Sequence, residues 1–215
     1  TSDAVLSLVV HGNIRMDTAI RHGCRPATDY HTITRSSGNK VYEIDHQPAT
    51  KVVSEYLGKE ESDVDWKNLL FSVTLGFHRV EKYTPFREKD YVNRMVMGAD
   101  PSEGTLVLLE GDIGEGDDFQ FMRRSYTTEM VAEEAMKLRN SLHGRTPLFA
   151  LYVSCLGRVK NWYGTETEEG DEVRQTIGKE VPLLGIYSGV EIARVKDKVM
   201  PLDWTGVLSL FSVPG

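Results

Sequence analysis

The sequence predicts an α+β protein: a mixed, largely antiparallel sheet with a few packed helices. Three observations predict it. Short strand-like segments separated by turn residues follow one another through most of the chain. The two longest helical periodicities, Glu129–Leu142 and Thr167–Ile177, come late rather than alternating with strands. The stretch Pro147–Arg158 and its echo Pro182–Ile192 each carry an apolar run with no helical period and the length of a buried strand. Both runs end in glycine and polar residues. In the first, Cys155 closes the strand, Gly157 is expected to turn the backbone, and Arg158 to stand just past the strand end. In the second the corresponding residues are Tyr187, Ser188, Gly189 and Glu191. Two buried strands finishing this way predict the floor of a pocket, because a rigid sheet positions the loops at its ends.

In chain order, Ala4–Val10 reads as a first strand. Arg21–Pro26 reads as a turn with two arginines. Thr32–Thr34 and Lys40–Ile44 flank a hairpin loop at Ser36–Asn39. Asp45 and Pro48 open a helix that runs to about Leu57 and stops at Gly58. Leu69–Phe77, Tyr91–Met97, Thr105–Leu109 and Asp117–Met122 follow as strands, with a charged connection at Glu81–Asp90 and a turn at Asp100–Gly104. Thr127 or Thr128 caps the helix Glu129–Leu142. After Arg158 come a loop at Asn161–Gly164, an acidic helix Thr167–Ile177, and strands Leu183–Tyr187, Glu191–Val195 and Gly206–Phe211.

The 215 residues are 40% apolar, enough for a real core and for one large domain or one domain with part of another. A net charge of −7 argues against a nucleic-acid-binding surface. Runs such as Leu148–Val153 fall far short of a membrane span. Residues 1–10 carry no basic leader or cleavage pattern, so no signal peptide is expected. Two cysteines make no disulfide framework and predict free thiols in a reducing, cytoplasmic setting.

The order of short motifs resembles the FIST domain family. Those motifs are Gly23-Cys24-Arg25-Pro26, Thr34, Gly38-Asn39, Pro48-Ala49, Glu110-Gly111, Ser154-Cys155 with Gly157-Arg158, and Gly185-Ile-Tyr-Ser with Glu191-Ile192. The resemblance implies residues 1–50 as the end of the N-terminal FIST half and 51–215 as the C-terminal FIST domain. It further implies a cytoplasmic, non-enzymatic sensory module that binds a small, amino-acid-like metabolite. Such modules signal to a partner of the histidine kinase, cyclic-dinucleotide enzyme or chemoreceptor type. No cofactor is specified, although some family members resemble haem-dependent nitric-oxide sensors and others sit in ubiquitin-ligase subunits that recruit substrates. Val190, Thr28 and Val159 stand where the family usually has glycine, and the glycine-rich approach to the last strand is charged here over Arg194–Asp203.

The expected ligand-binding residues are Cys24, Arg25, Cys155, Arg158, Tyr187, Ser188 and Glu191. Arg25 and Arg158 offer planar forks for a carboxylate or phosphate. Glu191 would accept an amino group, with the Tyr187 and Ser188 hydroxyls beside it. Arg158 would lower the pKa of the Cys155 thiol, against the plainer alternative that Cys155 is a small buried hydrophobe. Glu110 and Asp112 read as turn residues. The six histidines show no close metal-ligand spacing. Should haem bind, His22 beside Cys24 is the candidate axial ligand. The remaining readings are a thiol enzyme using Cys155 and a ligand-free interaction scaffold.

Overall fold

The computed structural model describes residue 5, residues 7–125 and residues 127–215. Among the described residues, fourteen strands and four helices follow in the order β1 Arg15–Arg21, β2 Cys24–Pro26, β3 His31–Ser37, β4 Lys40–Ile44, β5 Gln47–Pro48, α1 Ala49–Leu57, β6 Thr74–His78, β7 Tyr91–Asp100, β8 Thr105–Leu108, β9 Asp118–Arg124, α2 Thr128–Asn140, β10 Thr146–Cys155, α3 Lys160–Tyr163, α4 Glu169–Ile177, β11 Leu183–Ser188, β12 Glu191–Val195, β13 Lys198–Leu202 and β14 Gly206–Val213. This is the α+β, mostly sheet architecture that the sequence predicts.

The first body is a barrel. Strand β9 pairs with β3, β3 with β4, β4 with β8, β8 with β7, β7 with β6, and β6 returns to β9, so the ring closes and those strands keep no free edge. Every pairing is antiparallel. The interior is filled by Ile33, Val41, Ile44, Leu75, Phe77, Val96, Leu106, Phe119 and Phe121, with α1 packing Val52 and Val53 against it. Helix α1 starts at Pro48 and stops where Gly58 takes φ 65°, the left-handed conformation glycine adopts without a Cβ clash.

The second body is a four-stranded sheet in the order β1-β14-β10-β11. Only β10 and β11 run parallel. One face is covered by α2 and α4, whose Val131, Ala135, Leu138, Val173 and Ile177 pack on Ala150, Tyr152, Leu208 and Leu210. The hairpin β12–β13 closes one end, where Ala193, Val195 and Leu202 meet Val92 of the barrel and Val207 of the sheet. The rest of that opposite face is open and apolar: Met16, Leu184 and Ile186 are each more than half exposed, beside the stacked Phe149 and Phe211 rings.

Several expectations change. Of the strand expected at Ala4–Val10, residues 4 and 6 lie outside the described residues, and the remainder is irregular and exposed. The first strand is instead Arg15–Arg21, whose alternation of charged and apolar residues is short and easily overlooked. The expected turn at Arg21–Pro26 contains the short strand β2 on the outside of the barrel. Leu69–Phe71 is a single 3₁₀ turn before β6, and Asn161–Gly164 includes the short helix α3 rather than only loop. Strand β11 is not buried, because it is an edge with one face bare.

Candidate functional site

The parallel pair β10–β11 aligns Ser154 with Tyr187 and Cys155 with Ser188, so the two polar strand ends seen in the sequence do lie side by side. Parallel strands collect their carboxyl ends on one side, the side where α/β sheets commonly build sites. Past Ser188 the chain reverses through Gly189 and Val190, and Glu191 folds back so that its Oε1 accepts the Ser188 hydroxyl at 2.8 Å. Glu191 is buried, and its Oε2 has no hydrogen-bond partner among the described residues. Burial pushes its carboxyl up to about 7, with the Asp203 charge adding to the rise; Ser188, the Thr205 amide and Arg158 only partly offset this.

The segment Asp203–Thr205, just before β14, forms the facing wall. The Cys155 amide donates to the Thr205 carbonyl at 3.0 Å. Asp203 is buried, accepts the Met95 amide of the barrel at 2.7 Å through Oδ2, and leaves Oδ1 unpartnered among the described residues. Burial lifts its carboxyl to about 6. Between them Trp204 holds φ 56°, a left-handed conformation that is uncommon for a bulky side chain and is kept only where packing fixes it. Its ring lies under the Arg124 guanidinium at 4.2 Å. A Cβ on Gly157 would overlap that ring, with Cη2 and Cε3 at 2.8 and 2.9 Å. The glycine in Cys-Leu-Gly-Arg is therefore needed for close approach to the indole. The backbone turns here as expected, through a single 3₁₀ turn over Leu156–Arg158, and Gly157 does so without a left-handed φ.

The expected site residues divide. Cys155, Ser188 and Glu191 are adjacent. Tyr187 borders them but points its hydroxyl to Glu168. Arg158 is not presented at the strand end: it is buried, with Nε and Nη2 on Glu169 at 2.9 and 2.8 Å and Nη1 on the Trp204 carbonyl at 2.8 Å. Glu169 also accepts the Tyr152 hydroxyl at 2.5 Å and the Ser154 hydroxyl at 2.7 Å. This buried ion pair ties α4, β10 and the Trp204 loop together, and the charge expected to bind ligand is spent inside the fold. Arg25 stands apart on β2, exposed and stacked on Phe86 at 5.4 Å. Cys24 is fully buried behind the site beside Tyr91 and Met122.

Neither thiol is activated. Burial raises Cys24 to about 12, and burial with the Glu191 charge raises Cys155; Arg158 opposes both shifts but does not reverse them. The expectation that Arg158 would depress Cys155 is thus reversed by desolvation. His22 has both ring nitrogens engaged, Nδ1 by the Cys24 amide at 3.0 Å and Nε2 at the Glu88 carbonyl at 3.0 Å, and burial lowers its pKa. That geometry leaves it no nitrogen for an axial haem bond. Sequence reasoning missed Asp203, Trp204, Thr205 and Glu169. For the first three the signal was Asp-Trp-Thr-Gly, a polar break between two apolar runs; Glu169 lay hidden in an acidic run.

No helix among the described residues is long and apolar enough to cross a membrane. No solved structure matches the chain significantly. Uncharacterized proteins of Mycobacterium bovis and Mycobacterium tuberculosis are each 22% identical to it over 196 residues, covering 89% of this chain and 49% of theirs. An uncharacterized protein of Methanocaldococcus jannaschii is 33% identical over 121 residues, 49% of this chain and 23% of its own. The chain therefore spans about half the length of the mycobacterial proteins it matches. The FIST N domain family matches residues 1–47 and the FIST C domain family residues 49–194, and on that match the chain belongs to the FIST family.

Proposed function

We propose that this chain is a ligand-binding, non-enzymatic sensory module whose site recognises a small polar metabolite bearing an amino group. FIST domains are generally taken as sensory signal-transduction domains, which gives the class. The observation that carries the finer reading is Glu191, a buried carboxyl with one oxygen on Ser188 and the other without a partner among the described residues. A buried acceptor left unpaired costs about 1–3 kcal/mol, and an ammonium group placed against it would recover that cost. The raised thiol of Cys155 supports a binding role over nucleophilic catalysis. Binding would be passed to a signalling partner of the kinase, cyclic-dinucleotide enzyme or chemoreceptor type, in a cytoplasmic setting.

The test is a thermal-shift screen of amino acids and small amines, followed by calorimetry of hits. A matching amine should bind more tightly as pH rises to about 7, because free Glu191 must shed its proton to pair with it. Glu191→Gln should remove both the affinity and its pH dependence. An amine ligand whose affinity is indifferent to pH between 5 and 8 and to Glu191→Gln would overturn the assignment.

A further inference from the structure

We propose that the outer edge of β1 is a docking slot for an extended acidic peptide, which adds to the sheet as a fifth strand. Two independent observations meet there. The first is the edge itself. β1 is the terminal strand of the four-stranded sheet, paired with β14 on one side only. Such an edge presents unpaired backbone groups that another strand can complete. In this fold the edge lies at the bottom of a groove of about 570 Å³ whose floor includes Thr18, Ala19 and Ile20. Helix α2 walls the groove on one side through Lys137 and Leu138, and the β12–β13 hairpin on the other through Arg194, Val195 and Lys196. A strand laid along β1 would be flanked above and below, as the interior strands of a covered sheet are.

The second observation is charge. In a chain of net charge −7, the groove collects Arg87, Lys89, Lys137, Arg194 and Lys196 against only Asp90 and Glu134. Both of those carboxylates are already engaged: Asp90 by Arg87 at 2.9 Å, and Glu134 by Arg21 at 2.9 Å and Lys137 at 2.6 Å. Lys89 and Arg194 have no carboxylate partner among the described residues, and Lys196 donates only to the Arg79 carbonyl at 2.8 Å. The surplus positive charge lies along the hairpin wall and at the end near Lys89, while the α2 wall is balanced and carries Leu138. Side chains of an added strand alternate between the two walls. The fitting partner therefore has acidic residues at every second position, facing the hairpin, and apolar or small residues between them, facing α2. This surface is separate from the Glu191 site, and either proposal can fail without the other.

The test is fluorescence anisotropy with a labelled Glu-Val alternating hexapeptide, titrated with the 215-residue chain at low and physiological salt. The same hexapeptide N-methylated at every residue, and a Lys-Val counterpart, complete the set. Saturable binding of the acidic peptide, weakened by salt, is expected. It should weaken about tenfold or more when Lys89→Glu and Arg194→Glu are combined, since two attractions become repulsions. Both residues are exposed, so the double variant should keep its circular dichroism spectrum and melting temperature. N-methylation should abolish binding, because a strand without its amide hydrogens cannot pair. Three results would overturn the proposal: no binding of the acidic peptide at low salt, equal binding of the Lys-Val peptide, or undiminished binding after N-methylation, which would reduce the groove to a patch that attracts anions.

Discussion

Glu169→Ala is the sharpest test of how the site is held. In the folded chain Glu169 accepts from Tyr152, Ser154 and Arg158, all in a site sealed from solvent. Alanine takes the carboxylate away from the buried Arg158 guanidinium, which keeps the Trp204 carbonyl among its contacts. Removing one partner of a buried ion pair costs about 3–5 kcal/mol. The two hydroxyls lose a charged acceptor, a loss of up to about 1.5–3 kcal/mol each if nothing replaces it. These contributions share one carboxylate and do not add fully, so the expected loss is about 4–6 kcal/mol. For a chain of this size that lowers the melting temperature by roughly 10–20 °C. Urea unfolding followed by tryptophan fluorescence reads it directly, since the Trp204 loop is tied to the same arginine. Tyr152→Phe, which keeps the ion pair, should cost only about 1–2 kcal/mol. Combining Arg158→Met with Glu169→Leu should recover most of the single-variant loss, because an apolar pair of similar volume avoids the desolvation. If Glu169→Ala costs less than about 1 kcal/mol, or the double variant is as unstable as the single, the ion pair is not what fastens the loop.

Three further outcomes follow from the same geometry. The folded-state pKa values of Glu191 and Asp203 lie above their unfolded values, so both groups favour the folded state most at low pH and lose that contribution as pH rises, Glu191 between about 4.5 and 7 and Asp203 between about 3.8 and 6. The difference in unfolding free energy between the wild type and Glu191→Gln should therefore change with pH across that window, by up to about 3 kcal/mol, and stay flat above pH 8. Gly157→Ala should destabilise by about 3 kcal/mol because the Trp204 ring is fixed, whereas Gly76→Ala, whose Cβ meets only the flexible Met122 thioether, should cost about 1 kcal/mol or less; paired thermal melts compare them. Cys24 and Cys155 should both resist a thiol-selective disulfide reagent at pH 8 in the native protein and react at once in urea, and rapid native labelling of Cys155 would revive the thiol-enzyme reading.

The fold class was legible because it rests on local signals: apolar runs of strand length, Gly58 and Gly104 as stops, and periodicity at α2. The adjacency of Cys155 and Ser188 was also legible, since both close apolar runs of matching grammar. What one sequence could not give was which polar residue would face which. Arg158 and Glu169 stand close in sequence with no helix periodicity linking them, because a 3₁₀ turn and α3 intervene; their pairing is a product of tertiary packing alone. The Gly157 requirement came from Trp204, 47 positions later, and no local rule reaches that far. Strand β13 was hidden by Lys198 and by Pro201, residues tolerated in a two-stranded ribbon exposed to solvent.

The residues from Pro201 to Thr205 join the two bodies, the first part bonded to the barrel and the second to the sheet. Arg94 of the barrel, itself held by Asp112, donates to the Pro201 carbonyl at 3.2 Å, and the Met95 amide to Asp203 at 2.7 Å. From the sheet side, Arg158 donates to the Trp204 carbonyl at 2.8 Å and the Cys155 amide to the Thr205 carbonyl at 3.0 Å. Glu191 and Asp203 oppose each other's ionisation across this stretch, and such a coupling is mutual. Under the proposed reading, an ammonium group at Glu191 would neutralise that repulsion and make Asp203 easier to ionise. An ionised Asp203 accepts the Met95 amide more strongly than a protonated one. A ligand would then bind better to the form in which the joint grips the barrel more firmly, and that differential affinity is what any ligand needs in order to shift a population. Asp203→Asn breaks this link while leaving Glu191 in place. It should therefore preserve amine binding but remove the ligand's effect on hydrogen exchange at the Met95 amide.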